Sequence, residues 1–221
     1  MQSALLIGHT GGIGSALMSE MESRGIAVTG LSRSTHGFDL RQPETLDTVM
    51  EQIQGSFDLI FVATGALEID GAAPEKTVKA VTPKSMADQF AVNAIGPAIV
   101  QRHASRLLPR DSKTVFAVLS ARVGSITDNK VGGWISYRAA KAAMNQVVHT
   151  GAIELARTHK QAVAVTLHPG TVETEFTKKY LGRHPAVPAA EAARNLMDVI
   201  DGLTPDQSGQ FFDYAGKSVP W

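Results

Sequence analysis

The chain has 221 residues, 43% hydrophobic and 19% charged, enough for one α/β domain with a sizeable core. Lysine plus arginine balance aspartate plus glutamate at 21 each, so no overall charge calls for nucleic acid or an anionic membrane. The absence of cysteine excludes disulfides, thiolate metal sites and thiol nucleophiles. With no apolar run of membrane-spanning length and no basic segment before the first apolar residues, a cytoplasmic protein is expected.

In chain order, residues 3–8 read as a short buried strand and 12–24 as a helix stopped by Gly25. Residues 26–31 form a second buried strand. The polar stretch 32–37 is too short for a helix of normal length, and 38–40 are expected to make a brief third strand. Pro43 suits the first turn of a helix running to residue 53. Residues 58–63 lack any polar alternation, as a strand covered by helices on both faces would. A loop with Gly65, Gly71 and Pro74 leads to a long helix over 83–107, in which Gly96-Pro97 is a candidate kink. A strand at 114–119, a helix rich in small residues at 134–159 and a strand at 162–167 follow. The last elements are a helix at 189–200 and a strand at 210–212. Without repeats or low-complexity linkers, this alternation implies one domain: a doubly wound parallel sheet of the Rossmann type, helices on both faces.

Four glycines fall within seven positions at Gly8, Gly11, Gly12 and Gly14, directly after the apolar run Ala4-Leu5-Leu6-Ile7. So dense a cluster of an entropically costly residue implies that something approaches the backbone closely. The stretch, with Thr10 and Ile13 inside it, ends the first strand and opens the first helix. A doubly wound sheet binds a dinucleotide pyrophosphate at that place, against the helix N-terminus. Gly8 would permit the tight turn, Gly12 the approach to phosphate, and Gly14 the packing of helix on strand. The spacing is G-x-x-x-G-x-G and not the commoner G-x-G-x-x-G; taken alone, it also suits a strand-to-helix turn with no ligand.

Three further features accompany it. Tyr137 and Lys141 stand four residues apart, on one face near the start of a helix. Pro169-Gly170-Thr-Val172-Glu-Thr174 follows the strand at 162–167, and Asn93 lies within the long helix. Together with the glycine loop, these resemble the short-chain dehydrogenase/reductase family over essentially the whole chain and in the family's order. The segment 124–129, Gly132-Gly133 before Tyr137, and the ending Phe211-Phe-Asp-Tyr-Ala-Gly with a terminal Pro220-Trp221 look like the branch of C-factor and sniffer-type carbonyl reductases. Two departures stand out. The family's Asn-Asn-Ala-Gly-like segment reads Val62-Ala63-Thr64-Gly65 here, and its paired serines read Ser120-Ala121.

A carbonyl reduced by hydride becomes an alkoxide and needs a proton donor in place. Tyrosine in water is too weak an acid for ready exchange at neutral pH. A lysine ammonium about 5 Å away, at an effective dielectric of about 20, contributes on the order of 3 kcal/mol toward the phenolate. Tyr137 is therefore the candidate general acid/base and Lys141 the group that tunes it. The resemblance implies that Lys141 also binds the nicotinamide ribose and that Asn93 supports a water-mediated proton relay to Lys141. The developing oxyanion needs a second donor; Ser120, at a strand end, is favoured over Ser125, which follows the flexible Gly124.

An NAD-specific site usually has a carboxylate after the second strand. No acid occurs between Ile26 and Phe38, whereas Ser32 and Arg33 do, and both suit a 2′-phosphate; NADPH/NADP is the expected cofactor. The resemblance adds Asp39 and Leu40 as adenine contacts, and Ala63, Thr64, Gly65, Pro169, Gly170, Val172 and Thr174 as cofactor contacts. It also implies a substrate pocket from residues after Gly65, the 123–129 loop and the segment after Thr174. That segment has Phe176, Tyr180 and Leu181 beside Lys178, Lys179 and Arg183, and reads as a solvated lid. His9 and His168 flank the site as loop and strand-end residues, and Trp134 reads as core or pocket wall. No metal-ligand spacing is present. The expectation is a reductase of small carbonyl compounds, or an alcohol dehydrogenase in reverse, assembled as a dimer or larger. The alternative is an NADP-binding signalling or interaction protein of the same fold with little turnover.

Overall fold

The computed structural model describes residues 1–180 and 185–221. Six strands form one parallel sheet: β1 (Ser3–Ile7), β2 (Ala27–Leu31), β3 (Leu59–Val62), β4 (Thr114–Leu119), β5 (Ala162–His168) and, last in the chain, Phe211–Asp213. The apolar runs explain why the inner strands bury both faces. In β1, Leu5 and Ile7 enter one core while Ala4 and Leu6 enter the other. The first core is closed by α3 (Pro43–Gln52), α5 (Gly96–Arg102) and α7 (Ile135–Leu155), through residues such as Leu46, Val100 and Met144. The second is closed by α1 (Gly12–Ser23) and α8 (Ala189–Gly202), through Leu17, Met21, Leu196 and Met197.

The short elements α2 (Arg33–His36), α4 (Pro83–Phe90) and α6 (Ala104–Leu107) complete the helices. A two-stranded ladder of β6 (Val172–Glu173) and β7 (Val187–Pro188) lies apart from the main sheet, and β8 is its final strand, Phe211–Asp213. The sheet order is β2-β1-β3-β4-β5-β8. The chain runs outward from β1 to β2 and then crosses back to β3, so the direction of winding reverses between β1 and β3. Ile7 is in register with Leu31 on one side and Val62 on the other, which brings Gly8, Ser32 and Ala63 out side by side.

Two expectations are corrected. Residues 38–40 do not form a strand: Asp39 makes only an isolated bridge to Gln42, because its carbonyl and carboxylate close a turn on the N–H groups of Gln42 and Arg41. The helix expected over 83–107 is three helices, and its break starts before Gly96-Pro97, in a π-helical turn at Ala91–Ile95. Pro97 has no N–H for the carbonyl of Asn93, four residues earlier, so the ladder shifts there. The β6–β7 ladder, two residues per strand, lacks any periodic signal in the sequence. The polar stretch after β2 does hold one helical turn, α2, capped by the Ser32 side chain and ended by Gly37 at φ +71.

Candidate active site

The glycine loop joins the C-terminal end of β1 to the N-terminus of α1. Gly8 has φ +92, a backbone region that side chains disfavour, and its N–H donates to the Leu31 carbonyl at 2.7 Å. A β-carbon on Gly14 would stand 2.0 Å from the Gly8 carbonyl oxygen, and one on Gly12 would stand 2.7 Å from the Thr174 methyl. Helix and strand thus meet backbone to backbone, with Thr174 closing the loop from the other side. Gly11 is the N-cap of α1 and contributes no side-chain bond, so the first N–H groups stay open beside exposed Thr10, Gly11 and Gly12. An anion is the natural partner for such a helix end.

Polar atoms without partners lie along the same edge. Thr64 Oγ1 and His9 Nδ1 are buried and make no hydrogen bond, although the Thr64 methyl reaches Gly8 and the His9 ring covers Gly30. Half-buried His168, at the end of β5, also has an unpartnered Nδ1, and burial pushes its pKa down to about 4, keeping the ring neutral. Open helix N–H groups and unpartnered polar atoms at the winding reversal fit a diphosphate bearing hydroxylated sugars. On the β2 side, buried Ser32 shares its hydroxyl with Ser34 and Thr35, at 3.0 and 2.8 Å. Arg33 is exposed on α2, and among the described residues its guanidinium has no hydrogen bond or ion pair. Asp39 pairs with Arg41 at 2.8 Å, which holds its carboxyl below the usual range, and Leu40 wedges against Gly96.

Tyr137 and Lys141 share the buried face of α7, at 5% and 3% exposure, with Lys141 Nζ 5.8 Å from the Tyr137 ring centre. Lys141 Nζ donates to the Leu119 carbonyl at 2.8 Å, at the end of β4. Asn93, fully buried in the π-helical turn, clamps the loop after β3. Its Oδ1 accepts the Ala66 N–H at 3.1 Å, and its Nδ2 donates to the Ala66 carbonyl at 2.9 Å and to Gln89 Oε1 at 2.7 Å. Gly65 fits between the two: a β-carbon there would lie 3.1 Å from Asn93 Oδ1 and 3.5 Å from Lys141 Nζ. The loop after β3, the break after α4 and the start of α7 therefore converge on one point.

The electrostatics differ from the expectation drawn for the pair. Burial alone pushes the Tyr137 phenol well above its ordinary value and the Lys141 ammonium down to about 7. The lysine is aimed at a carbonyl, so desolvation outweighs its pull on the phenol.

The two candidate serines separate clearly. Ser120 is buried and donates its hydroxyl proton to Asn145 Oδ1 at 2.7 Å, so the proton expected for an oxyanion is already committed. Ser125 is 1% exposed; its Oγ accepts the Asp128 N–H at 3.1 Å, and its proton has no acceptor among the described residues. Gly124 presses on α7, where a β-carbon would stand 2.9 Å from Lys141 Cβ, so Ser125 follows directly on a contact with the Lys141 turn. Asn145 was legible only as the residue one turn past Lys141 on the same helical face.

The segment after Thr174 folds back over this edge. Lys179 pairs with Glu68 at 2.6 Å, Tyr180 donates to Glu68 at 2.8 Å, and the Tyr180 ring meets Trp134 edge-on at 5.3 Å. Beneath lies a cavity of about 250 Å³, lined by residues 65–68, Glu175, Phe176 and Lys179. Leu181 and Arg183 lie outside the described residues. A larger cavity of about 420 Å³, between α8 and the C-terminal segment, includes none of the candidate site residues. Among the described residues there is no cluster of metal-ligating side chains, and no helix is long and apolar enough to cross a membrane.

Known proteins resemble this chain in sequence and in fold. The family described as Enoyl-(Acyl carrier protein) reductase matches residues 11–205. The C-signal protein of Myxococcus xanthus is 39% identical over 139 residues, 62% of this chain and 78% of that protein. The 1-hydroxy-2-glutathionyl-2-methyl-3-butene dehydrogenase of Rhodococcus sp. (strain AD45) is 28% identical, with both chains covered in full. A short-chain dehydrogenase/reductase from Burkholderia multivorans with bound NADP superposes with a TM-score of 0.83 at 28% identity, covering 100% of this chain and 99% of that one. The family match and these relatives define a nicotinamide-dependent oxidoreductase. The chain belongs to the short-chain dehydrogenase/reductase family, whose members depend on NAD(P).

Proposed function

We propose that this protein is an NADPH-dependent reductase of aldehydes or ketones, able to run in reverse on the alcohol. The observation that carries the reading is the convergence of Tyr137, Lys141, Asn93 and Gly65, of which Gly65 also lines the cavity under the segment after Thr174. The N–H groups that open α1, with Thr64, Gly170, Val172 and Thr174 around them, would hold the dinucleotide, and Arg33 would pair with the 2′-phosphate. The chemistry the cofactor supplies when bound is hydride transfer to the carbonyl carbon.

Tyr137, neutral at ordinary pH because burial raises its pKa, holds the proton that the carbonyl oxygen takes. Lys141 restores that proton, and Asn93 fixes the loop that keeps Gly65 against it. Ser125, and not Ser120, is the second donor to the developing oxyanion, because its hydroxyl proton is uncommitted. Assembly through the surfaces of α4, α5 and α7 into a dimer or larger oligomer goes with this reading: Ala140 faces the core, while Ala139 and Ala142 stay partly exposed.

The 39% identity to a protein named as a signal favours a second reading, a signalling protein that keeps the cofactor site with little turnover. A panel of aldehydes and ketones, followed at the nicotinamide absorbance beside NADPH binding, separates the two. Turnover supports the reductase; tight NADPH binding with no turnover supports the signal protein. In the same assay Ser125→Ala is expected to lower kcat by at least about a hundredfold and Ser120→Ala far less. The reverse order would return the role to Ser120.

A further inference from the structure

Glu75 lies in the loop between β3 and α4, outside every motif above, yet it is only 8% exposed. Three donors converge on its carboxylate. Oε1 accepts the Ser85 hydroxyl at 3.0 Å and also the Ser136 hydroxyl, and Oε2 accepts the Ser136 N–H at 3.2 Å. Its carbonyl oxygen accepts the Trp134 N–H at 2.5 Å. Ser85 is in the first turn of α4 and Ser136 in the first turn of α7, so one side chain ties the starts of both helices together.

The need for such a tie is visible in α7 itself. Its N-cap is Trp134, which cannot accept a hydrogen bond from the helix, and its first turn has no acidic residue. A helix of 21 residues would otherwise begin with uncompensated N–H groups and the positive end of its dipole. Glu75 supplies from another segment both the missing acceptor and the missing charge.

The Trp134 backbone is itself constrained. Its φ of +53 is a left-handed conformation that bulky residues adopt only when their surroundings impose it. The Glu75 carbonyl is one such restraint. Trp134 so held stands edge-on to Tyr137 at 6.3 Å and to Tyr180 at 5.3 Å, forming the wall between the proton donor and the segment that folds over the cavity.

We propose that Glu75 is a positioning residue for the reaction: by capping α7 and holding the Trp134 turn, it fixes the Tyr137 hydroxyl and the aromatic wall beside it. The effect on turnover rests on the reading of Tyr137 as proton donor; the hold on Trp134 does not.

The test uses a Trp221→Phe parent, in which Trp134 is the remaining tryptophan of the two. Glu75→Gln keeps the size of the side chain but removes its charge and one acceptor. Ser136→Ala, which removes one donor from the other side, serves if Glu75→Gln does not fold. Trp134 emission and acrylamide quenching, NADPH affinity from its own fluorescence, and kcat and KM with 4-nitrobenzaldehyde are measured for each. The expected result is red-shifted, more readily quenched emission and a kcat lower by roughly ten- to a hundredfold. NADPH affinity should stay within about twofold and KM should change less than kcat. Glu75→Asp, which keeps the charge on a shorter arm, should recover part of both. Unchanged Trp134 emission in a folded variant would overturn the proposal. So would a loss of kcat no greater than the loss of folded protein. If the parent reduces no aldehyde, the reductase reading fails, while emission and quenching still decide whether Glu75 holds Trp134.

Discussion

Lys141 sits against the Leu119 carbonyl with its side chain out of water, and burial lowers its pKa from 10.5 to about 7. The folded value lies below the unfolded one, so between these two values the unfolded chain holds a proton that the folded chain has released. This residue therefore opposes folding most below about pH 7, and stability rises with pH across the window up to about 10.5. Urea midpoints of the ligand-free protein and of Lys141→Met, at about pH 7 and about pH 9.5, should show the wild type gaining on the variant as pH rises. A constant difference would mean that the lysine stays charged in the fold. Arg33 presents the opposite case, an exposed cation with its donors free. One charge-assisted contact to a 2′-phosphate contributes about 1.5–3 kcal/mol, roughly ten- to 150-fold in affinity. Arg33→Asp should weaken NADPH binding by that factor and leave NADH nearly unaffected, as calorimetry would read. Equal losses for both cofactors would remove Arg33 from the phosphate.

The turn from β1 into α1 is the most tightly specified element. A methyl group on Gly14 would have to displace the Gly8 carbonyl, which is backbone, so Gly14→Ala should cost at least about 3 kcal/mol or prevent folding. A thermal melt close to the wild type would contradict that packing. This element was legible because its glycines are forced by sterics within a few residues of chain. So were β1, β3, β4 and β5, whose apolar runs meet helices on both faces. Elements set by long-range contacts were not. Residues 38–40 carry strand-like Phe38, but Asp39 closes a local turn first. The π-helical turn at Asn93 depends on Pro97 and on the grip of Asn93 on Ala66, which no periodicity encodes. At the site, Tyr137 and Lys141 could be paired from their spacing, whereas the choice between Ser120 and Ser125 turned on Asn145, 25 residues further along the chain than Ser120. Glu75 reaches α7 across 61 residues and left no local trace.

Across the whole molecule, the chemistry gathers on one edge of the sheet because every strand is parallel and ends there. The glycine loop, the loop after β3, the segment beyond β5 and the start of α7 bring the open N–H groups of α1, the buried Tyr137–Lys141 pair and a cavity to that edge. On the reading proposed above, this edge performs carbonyl reduction with Tyr137 as the acid. Turnover of NADPH with a panel of aldehydes and ketones, for the wild type and for Tyr137→Phe, tests it most directly. Substitution by Phe keeps the ring against Trp134 and removes only the hydroxyl. The expected result is measurable turnover in the wild type, a loss of about 10²-fold or more in kcat for Tyr137→Phe, and NADPH affinity within about twofold of the wild type. Undiminished turnover by Tyr137→Phe would contradict it, as would a wild type that binds NADPH and reduces nothing.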